Sequence, residues 1–500
     1  MLSTKNNVDG VMYLGVDLGT SGIKVIITNS EGQIVDSQSA ELSVSRVQPL
    51  WSEQNPTDWW EAFCKVMDEL STRQYLSQVK AIGLSGQMHG ATLLDINSQI
   101  IRPAILWNDG RSAAECVELE KMVPSSRDIT GNIMMPGFTA PKLLWLKHHE
   151  AENFAKIDKV LLPKDYLRFL LTGDFASDMS DSAGTLWLNT QKRDWDAELL
   201  AACGLSVKHM PRLFEGNQIT GMLQPDLASR WGLLEVPVVA GAGDNAAGAI
   251  GVGIVKPGQG MISLGTSGVY FVVADHFSQQ AELAVHSFCH ALPNRWHLMS
   301  VMLSAASCLD WFAKQVLEED IGQLLEQLEN NPVNQKTAPY FLPYLSGERT
   351  PHNNPLAKGA FIGLSHDTNK LDMLHAVLEG VCFAFADGVD ALHQSGTKAT
   401  EITVIGGGAQ SAYWRQLMAD VLNTKITFRK GGEVGPALGA ARLAQLAIQP
   451  ELSIEQICPQ PEAVQIHTPN TSNQQIFEQR RAVYIQAYPQ LRTLFNKEIL

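Results

Sequence analysis

Two stretches of this sequence decide its fold, and they share the string Leu-Gly-Thr-Ser-Gly: Asp17-Leu18-Gly19-Thr20-Ser21-Gly22-Ile23-Lys24-Val25-Ile26-Ile27 and Ser263-Leu264-Gly265-Thr266-Ser267-Gly268-Val269-Tyr270-Phe271-Val272-Val273. Each string lies between two apolar runs, which predicts a glycine-rich turn joining two strands. The copies lie about half the chain apart, too far for a solenoid repeat. The sequence therefore predicts two similar halves, each opening with such a hairpin.

The composition of these turns is typical of anion binding. Glycine lets the backbone come close to a ligand, and Thr and Ser add hydroxyl donors. Two facing hairpins could hold one polyphosphate from both sides. Either copy alone is equally well explained as an ordinary turn, but the duplication favours the ligand-binding interpretation.

Length, charge and cysteine content exclude several classes of protein. A chain of 500 residues is too long for one hydrophobic core, so two or more domains are expected. The formal net charge of −14 argues against a nucleic-acid partner. No apolar run reaches the roughly 18 residues of a membrane span, and the polar residues 1–10 lack a signal core. Seven scattered cysteines without a C-x-x-C pair predict reduced, mostly buried thiols and a cytoplasmic location.

The first half reads as a mixed α/β domain. A third strand is expected from Gln33 to Leu42, followed by a helix capped by Thr57 or Asp58. Short apolar strands at 79–84 and 236–240 each end in a polar, glycine-containing loop. Ligands bind beyond the carboxyl ends of strands in such sheets, so both loops are candidate site segments.

The second half is expected to begin between residues 248 and 258, which divides the chain into domains 1–250 and 251–500. A long helix is predicted from Leu371 to Leu392, and a strand over Ile402–Ile405 precedes Gly406-Gly407-Gly408. Three successive glycines could admit a flat ligand such as a purine, although a loose turn explains them as well. The small residues of 435–441 favour tight helix packing near the same cleft.

Asp17 and Asp244 are the candidate functional carboxylates. Asp17 ends the first strand beside the first hairpin, where a carboxylate near phosphate needs a cation, so a Mg²⁺ site is predicted. Ser263 occupies the corresponding position of the second copy, which fits one metal site. Asp244 precedes a helix predicted to start at Ala246, and it could be a capping residue or a general base. The helix end should keep this carboxylate ionised.

Other polar positions could contact a carbohydrate. The loop Gly86-Gln87-Met88-His89-Gly90 offers an imidazole for a polyol, with a packed or solvated histidine as the alternative. Trp107 and Asp109 combine an aromatic ring with polar groups, which suits a sugar contact or a structured turn. His286 and His290 near Cys289 have metal-like spacing but no third ligand pattern, so zinc is not expected.

Taken together, several segments resemble the FGGY family of carbohydrate kinases, within the actin–hexokinase–Hsp70 superfamily. The resemblance runs from Tyr13 to about Leu446, and the segments that carry it are Gly15–Lys24, Gly86–Gly90, Leu106–Arg111, Leu162–Tyr166, Gly243–Gly248 and Tyr344–Pro351. It implies an α/β fold of two ribonuclease-H-like domains, each a mixed sheet flanked by helices, around a central cleft. ATP would bind mainly to the second domain and the sugar mainly to the first.

The resemblance also assigns roles to single residues. Asp244 matches the general base for the terminal hydroxyl of a ketose, and Asp17 matches the acidic residue associated with Mg²⁺ and ATP. The sugar-contacting positions would be Met88, His89, Trp107, Asp109 and Asn245. The nucleotide-contacting positions would be Thr20, Gly265, Thr266, Gly407 and Gly408.

The implied acceptor is D-xylulose, with another ketose or polyol such as L-ribulose as the alternative. No nucleic-acid or membrane partner is expected, and a homodimer is possible by resemblance. An Hsp70-type chaperone would need a separate peptide-binding module, which the second half does not show. An inactive sugar sensor would be expected to lack Asp17 or Asp244, and both are present.

Overall fold

The computed structural model describes residues 10–429 and 435–495. Its strands are β1 (Met12–Leu18), β2 (Gly22–Asn29), β3 (Ile34–Glu41), β4 (Glu53–Gln54), β5 (Val79–Gly86), β6 (Thr92–Leu94), β7 (Ala104–Ile105), β8 (Lys159–Leu161), β9 (Ala176–Asp178), β10 (Leu188–Asn189), β11 (Asp194–Trp195), β12 (Arg212–Phe214), β13 (Ile219–Met222), β14 (Pro237–Val239), β15 (Ala242–Gly243), β16 (Gln259–Leu264), β17 (Gly268–Ala274), β18 (His286–Cys289), β19 (Trp296–Met302), β20 (Tyr340–Leu342), β21 (Ala360–Ile362), β22 (Glu401–Ile405), β23 (Ile426–Arg429) and β24 (Ala463–His467).

The helices are α1 (Pro56–Ser71), α2 (Ala113–Met122), α3 (Ser126–Thr130), α4 (Thr139–His149), α5 (Ala151–Phe154), α6 (Pro163–Thr172), α7 (Met179–Ala183), α8 (Ala197–Ala202), α9 (Pro225–Trp231), α10 (Asp244–Gly251), α11 (Ala306–Trp311), α12 (Ile321–Asn330), α13 (Lys370–His393), α14 (Ala412–Leu422), α15 (Pro436–Ile448), α16 (Ile454–Ile457) and α17 (Thr471–Phe495). Within the described ranges, no helix has both the length and the apolar character needed to cross a membrane.

Two large sheets share one topology. The first has the order β13-β14-β5-β1-β2-β3, and the second has β24-β23-β22-β16-β17-β19-β18. Each sheet contains an antiparallel hairpin, β1–β2 or β16–β17, whose first strand pairs with a parallel neighbour, β5 or β22. Each sheet also ends in an antiparallel edge strand on that side, β13 or β24. The predicted α/β fold with two similar sheet-containing domains is therefore confirmed.

The hydrophobic cores follow this division only in part. One buried cluster covers the first sheet and α1, and another fills the second sheet around α13. A third cluster joins buried side chains of residues 91–210, from the first half, to Met261, Phe271 and Phe288 of the second sheet. The two halves are therefore bound by apolar packing.

Helix α15 crosses between the halves. It comes late in the sequence but packs against β1, β5 and α10 of the first half. Glycines make this contact possible, because a Cβ atom on Gly83 would lie 1.9 Å from the Ala440 carbonyl oxygen. A Cβ on Gly439 would lie 1.8 Å from the carbonyl oxygen of Ala247 in α10. The small residues of 435–441 were predicted to pack tightly, and α15 does so from Pro436 onward.

One predicted helix cap and one predicted helix start are wrong. Helix α1 begins at Pro56, and its cap is Asn55, whose side chain accepts a hydrogen bond from the backbone N–H of Thr57 at 3.1 Å. Proline suits the first helical position because its missing N–H would have no partner there. Helix α10 begins at Asp244 rather than Ala246, with Gly243 as its cap, so Asp244 is not a capping residue.

Candidate active site

The carboxyl ends of three parallel strands lie side by side at one end of the first sheet. Strand β5 pairs with β1 on one side and with β15 on the other, so that Asp17, Ser85 and Ala242 lie in one register line. Asp244 follows β15 directly. The fold therefore brings Asp17 and Asp244, which lie far apart in sequence, to the same place.

One carboxylate oxygen of Asp244 accepts hydrogen bonds within the protein, and the other is available. Its Oδ1 accepts hydrogen bonds from the backbone N–H of Asn245 at 2.7 Å and from Asn245 Nδ2 at 2.9 Å. Among the residues that the structure describes, no hydrogen bond reaches Oδ2. Burial raises the pKa of Asp244 to about 6, although the two bonds from Asn245 oppose the rise. The expected effect of the helix end is therefore outweighed by desolvation.

Asp17 lies in a more strongly perturbed environment. Burial, and then the charge of Asp244, raise the pKa of Asp17 to about 7, while the Ser85 hydroxyl and the ammonium group of Lys24 oppose the rise. Asp17 Oδ1 and the neighbouring Ser85 Oγ are both buried, and neither makes a hydrogen bond of good geometry. Two buried carboxylates side by side, with few donors between them, favour the binding of a cation.

These oxygens fit Mg²⁺. No group of three or more His, Cys, Asp or Glu residues suited to a metal ion occurs in residues 10–429 and 435–495. Mg²⁺ does not need one, because it commonly binds one or two carboxylates and completes its coordination with water and substrate phosphates. Asp17, with Asp244 beside it, supplies the hard anionic oxygens that such a site requires.

We expect Asp17→Asn to raise thermal stability at pH 8. The folded protein retains a proton on Asp17 up to about pH 7, whereas the unfolded chain releases it near pH 4. Stability is therefore lost as the pH rises through this window, and the full penalty applies above it. The amide removes the penalty, so the melting temperature should rise by about 1–2 °C per kcal/mol recovered in a chain of this length.

The measurement is thermal unfolding of both proteins at pH 8 and pH 4.5 without Mg²⁺. Near pH 4.5 Asp17 is protonated in the folded state, so the variant should gain little there. An equal change at both pH values would contradict the electrostatic explanation.

His89 is held in one orientation and one tautomer. Its backbone has a φ of +68°, and its carbonyl accepts bonds from Thr139 Oγ1 at 3.1 Å and Lys142 Nζ at 2.9 Å. Its Nδ1 donates to the Gly184 carbonyl oxygen at 2.7 Å, and burial lowers the pKa of the ring to about 3. The imidazole is therefore neutral, and Nε2 is left as an acceptor for a ligand hydroxyl.

Met88, the residue before His89, packs against Gly243 at the end of β15. It is 6% exposed, and a Cβ on Gly243 would lie 2.9 Å from Met88 Cγ and 3.0 Å from Sδ. The side chain thus packs directly against the residue that precedes Asp244. A glycine at 243 is required for this close approach.

The first hairpin is tied to Trp107 through Thr20. The Thr20 hydroxyl donates to Gln87 Oε1 at 2.9 Å and accepts from Trp107 Nε1 at 2.9 Å. Gln54 bonds to both Gln87, at 2.8 Å, and the Thr20 carbonyl, at 2.7 Å. The hydroxyl of Thr20 is thus engaged within the protein, and its assignment to the nucleotide stays a prediction.

The sequence reasoning missed the two glutamines of this network. Gln87 lies inside the Gly86–Gly90 segment, which carries part of the family resemblance, so the sequence does mark this residue out. Gln54 comes from a two-residue strand, and nothing in its local sequence marks it out.

Trp107 and Asp109 occupy different surroundings. Trp107 is 43% exposed, as a ring that contacts a sugar should be, whereas the Asp109 side chain has no exposed surface. The Asp109 carboxylate accepts from Ser52 N–H at 2.6 Å and from two Arg111 guanidinium nitrogens at 2.9 and 2.7 Å. Arg111 in turn lies 3.6 Å from the Trp51 ring centroid. Asp109 thus stabilises the loop that presents Trp107, and direct contact with a sugar stays a prediction.

In the second half, the β16–β17 hairpin and the turn Gly406-Gly407-Gly408 form one continuous surface. Gly406 has a φ of +96°, and its Cβ would lie 2.7 Å from the carbonyl carbon of Leu264. Gly407 is exposed and has no atoms near its Cβ position, so a ligand can approach there. Gly408 is buried against Leu264 and Trp414.

The second hairpin is anchored through its carbonyl groups. The Gly265 and Thr266 carbonyls accept from the backbone N–H groups of Ala306 at 2.8 Å and Ala305 at 2.9 Å. The Thr266 side chain is exposed. Gly265, Thr266 and Gly407 therefore share one accessible edge.

Comparison with known proteins identifies the family. The model of the N-terminal domain of the FGGY family of carbohydrate kinases matches residues 12–251, and that of the C-terminal domain matches residues 260–448. The chain is 57% identical to a xylulose kinase of Escherichia coli and 52% identical to one of Klebsiella pneumoniae, in each case over 97% of this chain and 100% of the relative. A crystal structure of a xylulose kinase from Brucella ovis superposes with a TM-score of 0.93 at 46% identity, covering 97% of this chain and 100% of that one. The chain belongs to the FGGY family of carbohydrate kinases.

Proposed function

We propose that the protein transfers the γ-phosphoryl group of ATP to the terminal hydroxyl of D-xylulose, forming D-xylulose 5-phosphate. The observation that carries this proposal is the 57% identity to a xylulose kinase over the full length of that relative. The site supports it, because a neutral histidine acceptor, an exposed tryptophan and two carboxylates line one edge of the first sheet. Another ketose or polyol, such as L-ribulose, is the alternative acceptor.

In the proposed reaction, Asp244 is the general base. Its Oδ2 accepts the proton of the sugar hydroxyl, and the resulting oxygen nucleophile attacks the γ-phosphorus as the bond to ADP breaks. A base with a pKa of about 6 is ionised at neutral pH yet remains basic enough to take a proton. The two bonds from Asn245 fix the carboxylate in position.

Asp17 would hold Mg²⁺, which when bound neutralises charge on the phosphates. His89 Nε2 would accept a bond from a sugar hydroxyl, Met88 and Asn245 would shape the pocket, and Trp107, supported by Asp109, would cover the sugar.

The nucleotide would lie against Gly265, Thr266, Gly407 and Gly408, with Thr20 on the opposite hairpin. Residues 1–250 would then form the sugar and base domain and residues 251–500 the ATP domain. All seven cysteines are buried and unpaired, which favours a reducing compartment such as the cytoplasm.

We expect D-xylulose to be preferred over other acceptors by about tenfold or more in kcat/KM, because a displaced hydroxyl leaves buried polar groups unpaired. ADP release from Mg²⁺ and ATP should be measured with D-xylulose, L-ribulose, D-ribulose, glycerol and L-fuculose, and without sugar. Phosphorus–carbon coupling in the NMR spectrum of the product would identify the phosphorylated carbon. Preference for another acceptor would change the substrate but keep the reaction, and no stimulation by any sugar would reject the proposal.

A further inference from the structure

Arg349 lies in a segment fixed beside the second hairpin. Its neighbour Thr350 bonds to both the N–H and the C=O of Val301 at the end of β19, at 3.1 Å each. Glu348 Oε1 accepts the backbone N–H of Leu303 at 3.1 Å. Just beyond Leu303, the chain donates the N–H groups that bind the Gly265 and Thr266 carbonyls. Arg349 is therefore held next to the surface proposed for phosphate.

Arg349 also lies near the sugar-site loop of the other half. The Thr350 hydroxyl donates to the carbonyl oxygen of Ala284 at 2.8 Å, which places Arg349 beside the start of β18 at His286. Its positive charge also helps to lower the pKa of His286, after burial, and that of His89, after burial and the charge of Lys142. These two histidines are connected through Phe138, whose ring lies 4.6 Å from His89 and 5.5 Å from His286, between centroids. Residue 349 thus lies between the proposed sugar site and the proposed phosphate site.

Among the described residues, the neighbouring Glu348 is the opposing charge that acts on Arg349. In residues 10–429 and 435–495, no carboxylate lies within 4.0 Å of its guanidinium, and its side chain donates no hydrogen bond. The adjacent Glu348 uses Oε1 for the backbone N–H groups of Leu303 and Arg349 itself. Burial also raises the pKa of Glu348 to about 8, so this carboxyl is mostly neutral at pH 7.

Other buried arginines have side-chain or backbone partners. Arg111 and Arg480 pair with Asp109 and Glu379, respectively. Arg442 donates to the carbonyl of Ile250 at 2.8 Å. Arg349 is half-buried, and a half-buried cation without a hydrogen-bonded partner is costly, so an anionic ligand would reduce the cost.

We infer that Arg349 binds the phosphoryl group during and after its transfer, and that it is the principal contact for the phosphate of the sugar phosphate product. This inference rests on the proposed function. A guanidinium matches a phosphate monoester through two parallel N–H···O bonds, which a sugar hydroxyl cannot offer. Because Arg349 lies between the two sites, its ligand is the group that passes from one to the other.

The test compares Arg349→Gln with wild type by calorimetric titration. Affinity for D-xylulose 5-phosphate should fall by about 10- to 100-fold, as expected for the loss of charged hydrogen bonds. Affinity for D-xylulose should change by less than about twofold, since a hydroxylated sugar does not need the charge. Arg349→Lys should give an intermediate loss, because it keeps the charge without the paired donors. Arg212→Gln, at an exposed arginine on β12, controls for the loss of one positive charge.

Kinetics provide an independent readout. Arg349→Gln should lower kcat more than it raises the KM for sugar. Equal weakening of sugar and sugar phosphate binding, or an unchanged affinity for the phosphate, would overturn the inference. Failure of the proposed function would instead appear in the wild type, as absent phosphorylation of D-xylulose. If another acceptor is preferred, its phosphate ester replaces D-xylulose 5-phosphate in the titration.

Discussion

Replacing Asp244 with Asn is expected to lower kcat by about 10²- to 10⁴-fold, the usual contribution of a positioned general base. An amide has nearly the same shape but cannot take the proton of the sugar hydroxyl. The nucleotide is proposed to bind the other half of the chain, so its dissociation constant should change little. In the wild type, kcat should fall as the pH drops through about 6, because the base becomes protonated.

Asp196→Asn is the matched control for this substitution. Asp196 caps α8 through bonds from Glu198 N and Leu199 N at 3.1 Å, and asparagine serves equally well as a cap. Turnover by the control should equal that of the wild type. If Asp244→Asn kept kcat within tenfold of wild type, Asp244 would not be the base.

The second large effect concerns stability. Gly439→Ala is expected to destabilise the fold by about 3–5 kcal/mol, even though alanine normally favours a helix by about 1 kcal/mol over glycine. The added Cβ would lie 1.8 Å from the Ala247 carbonyl oxygen, which belongs to the backbone and cannot move aside without shifting α10. Because α10 begins at Asp244, activity should fall together with the melting temperature.

Gly248→Ala separates this clash from the general effect of the substitution. Gly248 also lies within a helix, but the nearest atom to its Cβ position is Pro436 Cγ at 4.0 Å. Its melting temperature should stay level or rise slightly, consistent with the helix preference of alanine. An unchanged melting temperature in Gly439→Ala would mean that α10 and α15 can separate without cost.

The duplicated Leu-Gly-Thr-Ser-Gly string predicted the architecture because it marks an equivalent local structure, a strand–turn–strand hairpin, in each half. Residues 435–441 predicted tight packing for a similar reason, since small side chains permit close approach. Their partner in the first sheet could not be predicted, because the contact depends on how a distant segment folds back. Asn55 was not predicted as the cap of α1 because Thr57 and Asp58 are equally good caps in isolation.

For the site, the residues at strand ends were the predictable part. Asp17 and Asp244 follow apolar strands, and the parallel register then brings them together. Their pKa values were not predictable, since desolvation depends on the surrounding fold. The hydrogen bonds of Gln54 and the burial of Asp109 were not predictable either, because both depend on neighbours distant in sequence.

The position of α15 has a consequence for biosynthesis. The face of β1 and β5 that α15 covers leaves the ribosome about 350 residues before the helix does. At about 5–20 residues per second, that apolar face waits roughly 20–70 s for its cover. The first half therefore cannot complete its native fold while it is being made, and nascent chains paused before residue 448 should be the species that molecular chaperones engage.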